Sequence, residues 1–535
     1  MSSVGANAER ILIRLKALES ARAPFERLWD EVGMYVLPQG REFKSTGVRR
    51  TENIYDSTPT RAGHRLASAL NAMLTPRNSR WLRGMRKVGH DDDMDVIEWT
   101  SGVAEIIHER FNLSNFHIRA HEMYLDYGTI GTPVMYFDEE FWFDTVSIWE
   151  CFIDEDERGD VDTLFRKFKL SARNAEQKFG AEALSEDIKK CLDKAPEKEF
   201  EFLHAVFPRN DMKMTTGEEK FPYSSVWLEL GTKNIVKEWG FWEFPFLVPR
   251  WMKYTGEKYG RTPAIEAMAD IKNLHSMGRA NLRAARQITD PPLDMEENTY
   301  LNPIRTSAGA INVRVTGSNP LTPLYPVTQL PVSLEIQNQI RKAVNESFYY
   351  QQLRLIDNDR MTATEVMQRT EENMRILGPT YDRLEREFLV PLVRRAYGIV
   401  SRAGDIPPPP PQLRGEPFTY ESPLARAQRL NELSAINQGL MVAAPLMQVK
   451  PDVIDVVDLD GVMRQVFVLC GVDPEVILNQ EVVAQIREAR QQQQAEMQAA
   501  AMAEQLAKAG KDASQADPSS GLLPSIGALL GGGSE

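Results

Sequence analysis

The sequence predicts a predominantly helical α+β chain. Three observations carry that reading. Apolar residues recur at helical spacing through both ends of the 535 residues. A middle stretch from 132 to 258 changes to short β-branched and aromatic runs bounded by turn residues. Seven of the nine tryptophans fall between positions 99 and 251, which points to a packed core in that stretch.

Composition sets the outer limits. The chain is 42% hydrophobic and 26% charged, with 63 Lys and Arg against 76 Asp and Glu, a formal −13. That is a globular balance, and its length suggests several modules. The longest apolar stretches, Val466–Val472 and Gly439–Met447, fall far short of the ~20 residues that span a bilayer. No membrane association is expected. The N-terminus (Ala8-Glu-Arg-Ile-Leu-Ile-Arg-Leu) is amphipathic, unlike a secretory leader. Cys151, Cys191 and Cys470 are too few and too scattered for a disulfide framework or a zinc ribbon. The acidic balance argues against clamping nucleic acid over the whole surface, because phosphate contacts come from Lys and Arg. Residues 1–90 are the exception, with 16 basic and 8 acidic side chains for a net +8.

The elements follow in order. Ile11, Leu12, Leu15 and Leu18 mark a first helix, and 25–36 a second that stops before Pro38. A third covers 59–74, with Leu66, Leu70, Met73 and Leu74 on one side. Residues 93–128 hold two more. Strands are expected at 134–137, 141–148, 163–170, 200–208, 225–230 and 235–242, with one helix near 171–193. Thr262 is a good N-cap and Pro263 suits the first helical position. The helix they open runs to 288, 26 residues or about 39 Å. Residues 289–330 hold six prolines and short extended runs at 310–315 and 324–327. A second long helix starts near Pro331 with the stripe Ile336, Ile340, Val344, Phe348. After the polar segment 351–360, Thr362-Ala-Thr-Glu365 forms a capping box. The helix pattern then continues through 381–401, with Pro391 predicting a kink. Pro407–Pro411 is a polyproline spacer. Helices follow near 424–442, 453–470 and 479–509, and the last 25 residues have a disordered composition.

Catalytic signatures are missing. There is no G-x-x-x-x-G-K-[ST] loop, which opposes an ATP-driven motor, and no G-x-S-x-G elbow. His121-Glu122 lacks the second zincin histidine, since position 125 is Leu. His117 and His121 share a helix face but lack a third ligand, so they read as structural. Asp91, Asp92 and Asp93 suit a helix start. Asp154, Asp156, Asp160 and Asp162 fail the calcium-loop pattern at Phe165 and read as a polar turn. No catalytic residue, metal or cofactor is expected.

Two constellations remain. Lys272, His275, Arg279, Arg283 and Arg286 recur at steps of 3, 4, 4 and 3, which keeps them on one helix face. That face could be solvated or paired with a neighbouring subunit, or it could face a polyanion. Arg354, Leu355, Ile356, Asp357, Asn358, Asp359 and Arg360 form an alternating-charge junction between two helices. It reads either as a loop that pairs with copies of itself or as an ordinary turn.

Several strings stand out along the chain: Arg22-Ala-Pro-Phe-Glu, the run Arg61-Ala-Gly-His-Arg-Leu-Ala-Ser-Ala-Leu-Asn-Ala-Met-Leu-Thr-Pro with Arg80-Trp81, and Tyr259-Gly-Arg-Thr-Pro263. Arg360-Met-Thr-Ala-Thr-Glu-Val366, Phe388-Leu-Val-Pro-Leu-Val393 and Cys470-Gly-Val-Asp-Pro complete the set. Together with the order of the modules, they resemble the portal proteins (head-to-tail connectors) of short-tailed bacteriophages. The resemblance covers about residues 5–510. It implies a portal fold assembled as a dodecameric ring at one capsid vertex. Residues 1–131 and 132–258 would form the wing, 259–288 and 331–350 the stem, 289–330 the clip and 351–361 the tunnel loop lining the channel. Residues 362–423 would be a long wing helix with its linker, 424–510 the crown and C-terminal barrel, and 511–535 a disordered tail. The implied partners are double-stranded DNA passing through, the terminase large subunit, a tail adaptor, the major capsid protein and scaffold. The implied location is the virion, after assembly in the host cytoplasm. A capsid-associated scaffold or internal head protein is the alternative, suggested by the Gln-rich helix and the tail. The strand module disfavours it.

Overall fold

The computed structural model describes residues 3–38, 54–77, 81–84, 94–211, 220–289, 293–294, 297, 300–305, 311–317, 319, 322–323, 330–350, 378–411, 418–420, 436, 438–439, 441–442, 458–469 and 480–514. Contacts divide the chain into two units, Met1–Pro445 and Leu446–Glu535.

The first unit opens with α1 (Ser3–Tyr35), a single helix where two were expected, with Pro24 inside it. Packing on both sides of the proline overrides the break. The Arg22 guanidinium donates to Trp149 O (2.8 Å) and Cys151 O (2.9 Å) and lies 3.8 Å over the Phe152 ring. Phe25 and Trp29 are buried on the other side. Tertiary contacts of this kind outweigh local propensity. Next come α2 (Thr58–Leu74), β1 (Leu82–Gly84), α3 (Met94–Leu113) and α4 (Phe116–Thr129), then β2 (Val134–Phe137), β3 (Phe143–Val146), β4 (Cys151–Glu155) and β5 (Val161–Ser171). The single helix expected near 171–193 is two, α5 (Ala172–Phe179) and α6 (Glu186–Lys194). Ser171 caps the first, and Gly180 at φ 80° ends it.

β6 (Glu199–Pro208), β7 (Tyr223–Glu229) and β8 (Asn234–Phe241) extend β4 and β5 into a five-stranded antiparallel meander. Its alternation sorts side chains onto two faces. Leu203, Ala205 and Phe207 pack against Ala8, Ile11, Leu15 and Leu18 of α1. Phe202 and Phe168 pack against Ala172, Ala175 and Ile188 of α5 and α6. β9 (Phe246–Leu247) joins β2 and β3 in a smaller sheet over the main core. Sequence reading missed β1, β4, β9 and the late strand 418–420, all short.

The helix expected over 263–288 is broken. α7 (Pro263–Glu266) is one turn, and α8 (Met268–Thr289) follows after Ala267. The Pro-rich stretch forms β10 (Leu293–Asp294) paired with β11 (Thr322–Pro323), and a bridge joins Tyr300 to Arg314. α9 (Leu330–Ser347) then packs on α8. Its stripe differs from expectation at one end. Val344 and Phe348 are buried, but Ile336 is 45% exposed while Gln337 is buried. A π-helical turn, Glu385–Leu389, precedes α10 (Val390–Ala403). Where Pro391 predicted a kink, the chain widens by one residue just before it, with Val390 N–H bonding Glu385 O. Gly404 at φ 78° caps α10. β12 (Phe418–Tyr420) returns antiparallel to β1.

In the second unit lie α11 (Leu459–Leu469) and α12 (Gln480–Ser514), linked by Arg487 to Asp460 at 2.7 Å. The junction Arg354–Arg360, the capping box at 362–365, Asp91–Asp93, the run 324–327 and most of 424–457 lie outside the described residues.

Candidate functional site

The helical hairpin α8–α9 carries the basic face singled out in the sequence, and its entry is built tightly. Thr262 Oγ1 accepts from Ile265 N–H (3.3 Å) and donates to Thr129 O (2.8 Å). Gly260 N–H donates to Thr132 Oγ1 at 2.8 Å. Gly131 sits at φ +95°, where a Cβ would come within 2.8 Å of Gly260 O, so only glycine fits this close crossing.

At the base of the hairpin, polar groups replace apolar ones. Asp56 accepts from Thr58 N–H (2.9 Å), Thr58 Oγ1–H (2.6 Å) and Arg341 Nε–H (2.8 Å). Gln337 Nε2 lies 3.5 Å from the same carboxylate. Burial works to raise the Asp56 pKa, but the Thr58 and Arg341 hydrogen bonds outweigh it and hold the carboxyl below its usual range. Higher up, Asn281 donates to Gln337 Oε1 (3.1 Å) and accepts from Ser333 Oγ–H (2.6 Å). These bonds fix the register of the two helices more sharply than apolar packing alone, since an unpaired buried amide is costly. None of these partners was identified from sequence. Asp56 and Arg341 stand 285 positions apart. In the sequence Gln337 stands beside the stripe Ile336, Ile340, Val344, Phe348 rather than in it, and nothing there marks it as buried.

The five-residue basic face does share one side of α8, but its two halves have different surroundings. Lys272 pairs with Glu31 of α1 at 2.9 Å. His275 is buried, its Nδ1 accepts from Tyr55 N–H (3.1 Å), and its ring lies 5.3 Å from that of Tyr35. Burial lowers its pKa, so it is neutral there. The chain thus covers this half with α1 and the 54–57 segment. Beyond Gly278 the cover ends. Arg279, Arg283 and Arg286 are exposed, and none has an ion-pair partner among the described residues. Leu282 (45% exposed) and Ile288 (38%) on α8, with Leu334 (48%) and Ile336 on α9, are bare as well. Among the described residues, the outer part of the hairpin therefore carries exposed positive charge and exposed apolar side chains.

The other sequence-derived candidates resolve into structure. His117 is held by Asn112 Oδ1 at 2.8 Å from its Nε2. The Asp154–Asp162 cluster is a polar turn between β4 and β5. There Asp156 Oδ1 accepts from Arg158 and Asp160 N–H, and Asp154 pairs with Lys258. Among the described residues, no group of His, Cys, Asp and Glu could hold a metal, and no helix is long and apolar enough to cross a membrane.

Comparison with known proteins gives a consistent result. The sequence profile of a family described as bacteriophage head to tail connecting protein matches residues 8–478. A probable portal protein of Bordetella phage BPP-1 is 28% identical over 519 residues, covering 92% of this chain and 93% of that protein. The portal protein of Salmonella phage epsilon15 is 29% identical over 541 residues, covering 96% of each.

Proposed function

The chain belongs to the bacteriophage head to tail connecting protein family and serves as a structural portal, not an enzyme, and we propose that it acts as a closed ring, dodecameric by analogy, at one vertex of the capsid. In this reading the ring conducts double-stranded DNA during packaging and ejection. It docks the terminase large subunit first and a tail adaptor afterwards, contacts major capsid protein and scaffold at its rim, and assembles in the host cytoplasm before entering the virion. The strand-rich stretch 132–258 serves as wing, α8 and α9 as stem, 289–330 as clip, and 424–510 as crown and barrel. Arg354–Arg360, the proposed tunnel loop, faces the channel.

The observation that supports this reading best is the bare outer half of the α8–α9 hairpin. Isolated helices that expose Leu282, Ile288, Leu334 and Ile336 gain by burying them against copies of themselves. In a ring, Arg279, Arg283 and Arg286 would repeat in every subunit, facing either DNA or the adjacent subunit. Electron microscopy of the purified protein tests the proposal. Closed rings of uniform size are expected, and a stable monomer at micromolar concentration with no rings would overturn it. Deleting residues 354–360 should leave rings that form but fail to retain packaged DNA. Normal retention would remove that loop from the mechanism.

A further inference from the structure

A cavity of about 340 Å³ opens between the β4–β5 turn, the segment that follows β9, and the helical turns leading to α10. Its volume lies at the small end of the range typical of ligand pockets, roughly 300–1,000 Å³. The floor is a completed ion network. The Arg250 side chain is fully buried, pairs with Glu155, and donates to Gly159 O and Glu387 Oε1, each at 2.7 Å. Its backbone N–H donates to Glu387 Oε2 at 2.8 Å. Lys253 Nζ donates to the second Glu155 oxygen at 2.6 Å, and Arg386 holds Asp160 at 2.8 Å. This network clamps three separate stretches of chain, so the walls are set before anything binds.

The walls are not electrically balanced. Five cationic and three acidic side chains line the cavity, within a chain whose net charge is −13. Glu387 and Asp160 are already engaged by Arg250 and Arg386. Arg158 and Arg383 line the same cavity, and neither has a carboxylate partner among the described residues. Guanidinium groups match phosphoryl oxygens in a two-pronged geometry that few other groups offer.

We propose that this cavity binds a phosphoryl anion, with Arg158 and Arg383 as the principal ligands and the spare donors of Lys253 and Arg386 completing the shell. The two arginines that lack a carboxylate partner among the described residues suit a dianion. Such an anion could arrive as free phosphate or pyrophosphate, or as the backbone of a nucleic acid. The test is calorimetric titration of the purified full-length protein with pyrophosphate, and separately with a short DNA duplex, each against chloride at matched ionic strength. Saturable binding is expected, weakened about tenfold or more by Arg158→Ala and by Arg383→Ala, as befits loss of a charge-assisted hydrogen bond, with Arg383→Lys retaining part of it. Neither arginine has a carboxylate partner among the described residues, so melting temperatures in chloride should match the wild type. Should Arg383→Ala nevertheless melt early, Arg383→Gln takes its place. Arginine-dependent binding of pyrophosphate assigns a free phosphoryl anion. The same dependence with duplex alone assigns the nucleic-acid backbone. Binding no stronger than in the chloride control, or equal in wild type and variants, overturns the proposal.

Discussion

Asp56 joins three parts of the chain through one side chain: its own loop through Thr58, α9 through Arg341 and Gln337, and, beside it, Tyr55 bonded to His275 of α8. Asp56→Asn keeps the shape and removes the charge. It should destabilise the chain by about 1–3 kcal/mol at pH 7, as for other charge-assisted hydrogen bonds. The pH dependence has a defined sign. The folded carboxyl titrates below its ordinary value of 3.8, so its contribution is complete above that value and is lost as pH falls through the lower, folded one. The gap in melting temperature between wild type and Asp56→Asn should therefore hold steady from pH 5 to 8 and close under stronger acid. A gap that widened in acid would show that the assignment is wrong. Arg250 makes a sharper case, because Arg250→Met strands Glu387 without its cation and leaves Glu155 with Lys253 alone. The expected loss is about 3–5 kcal/mol, and Arg250→Lys should not restore it, since an ammonium cannot span both carboxylates and Gly159 O. At this scale the sequence was legible only where periodicity speaks. It marked Val344 and Phe348 as core but was silent on Asp56 and Arg250, whose partners lie in distant segments.

Element by element, helices and strands were mostly visible as periodic runs, and the departures share a cause. Pro24 and Pro391 are local breakers, and each is accommodated within a helix because buried side chains flank it (Phe25 and Trp29 in one case, Phe388 and Leu389 in the other). Ala267, with no breaker signal, interrupts a run that looked continuous. The sequence placed five basic residues at helical spacing along α8, but it could not show that α1 and the 54–57 segment meet Lys272 and His275. That division makes the hairpin testable. Reversing Arg279, Arg283 and Arg286 together to Glu should leave assembly largely intact and reduce DNA packaging or retention, scored by nuclease protection. If rings fail to form instead, the three arginines belong to a contact between subunits. Leu282→Asp with Leu334→Asp should do the opposite, leaving folded subunits that no longer close into rings, as judged by light scattering.

For the molecule as a whole, module order was more informative than any motif, and the family it pointed to is the one whose profile matches residues 8–478. Boundaries between modules were less legible, because they depend on contacts such as β1 with β12 that join positions 82–84 to 418–420. Twelve copies of a chain at −13 would carry a formal −156. Each phosphate neutralised by a protein cation adds salt-dependent affinity, so a predominantly acidic ring would let DNA slide while a few segregated cations touch it. DNA affinity of purified rings should accordingly be weak, and it should fall with added salt along a shallow slope in filter-binding measurements. A steep slope would mean an extensive cationic surface.

The unbroken α1 has a mechanical consequence. Its first half is sealed to the five-stranded sheet through Ile11, Leu15 and Leu18. Its last turns grip α8 through Glu31 to Lys272 and Tyr35 to His275. Thirty-three helical residues make a shaft about 50 Å long. Axial load applied to the hairpin would pass along that shaft into the sheet without crossing a hinge, so the two would shift as one rigid lever, and Pro24 marks the point where such a lever would first yield.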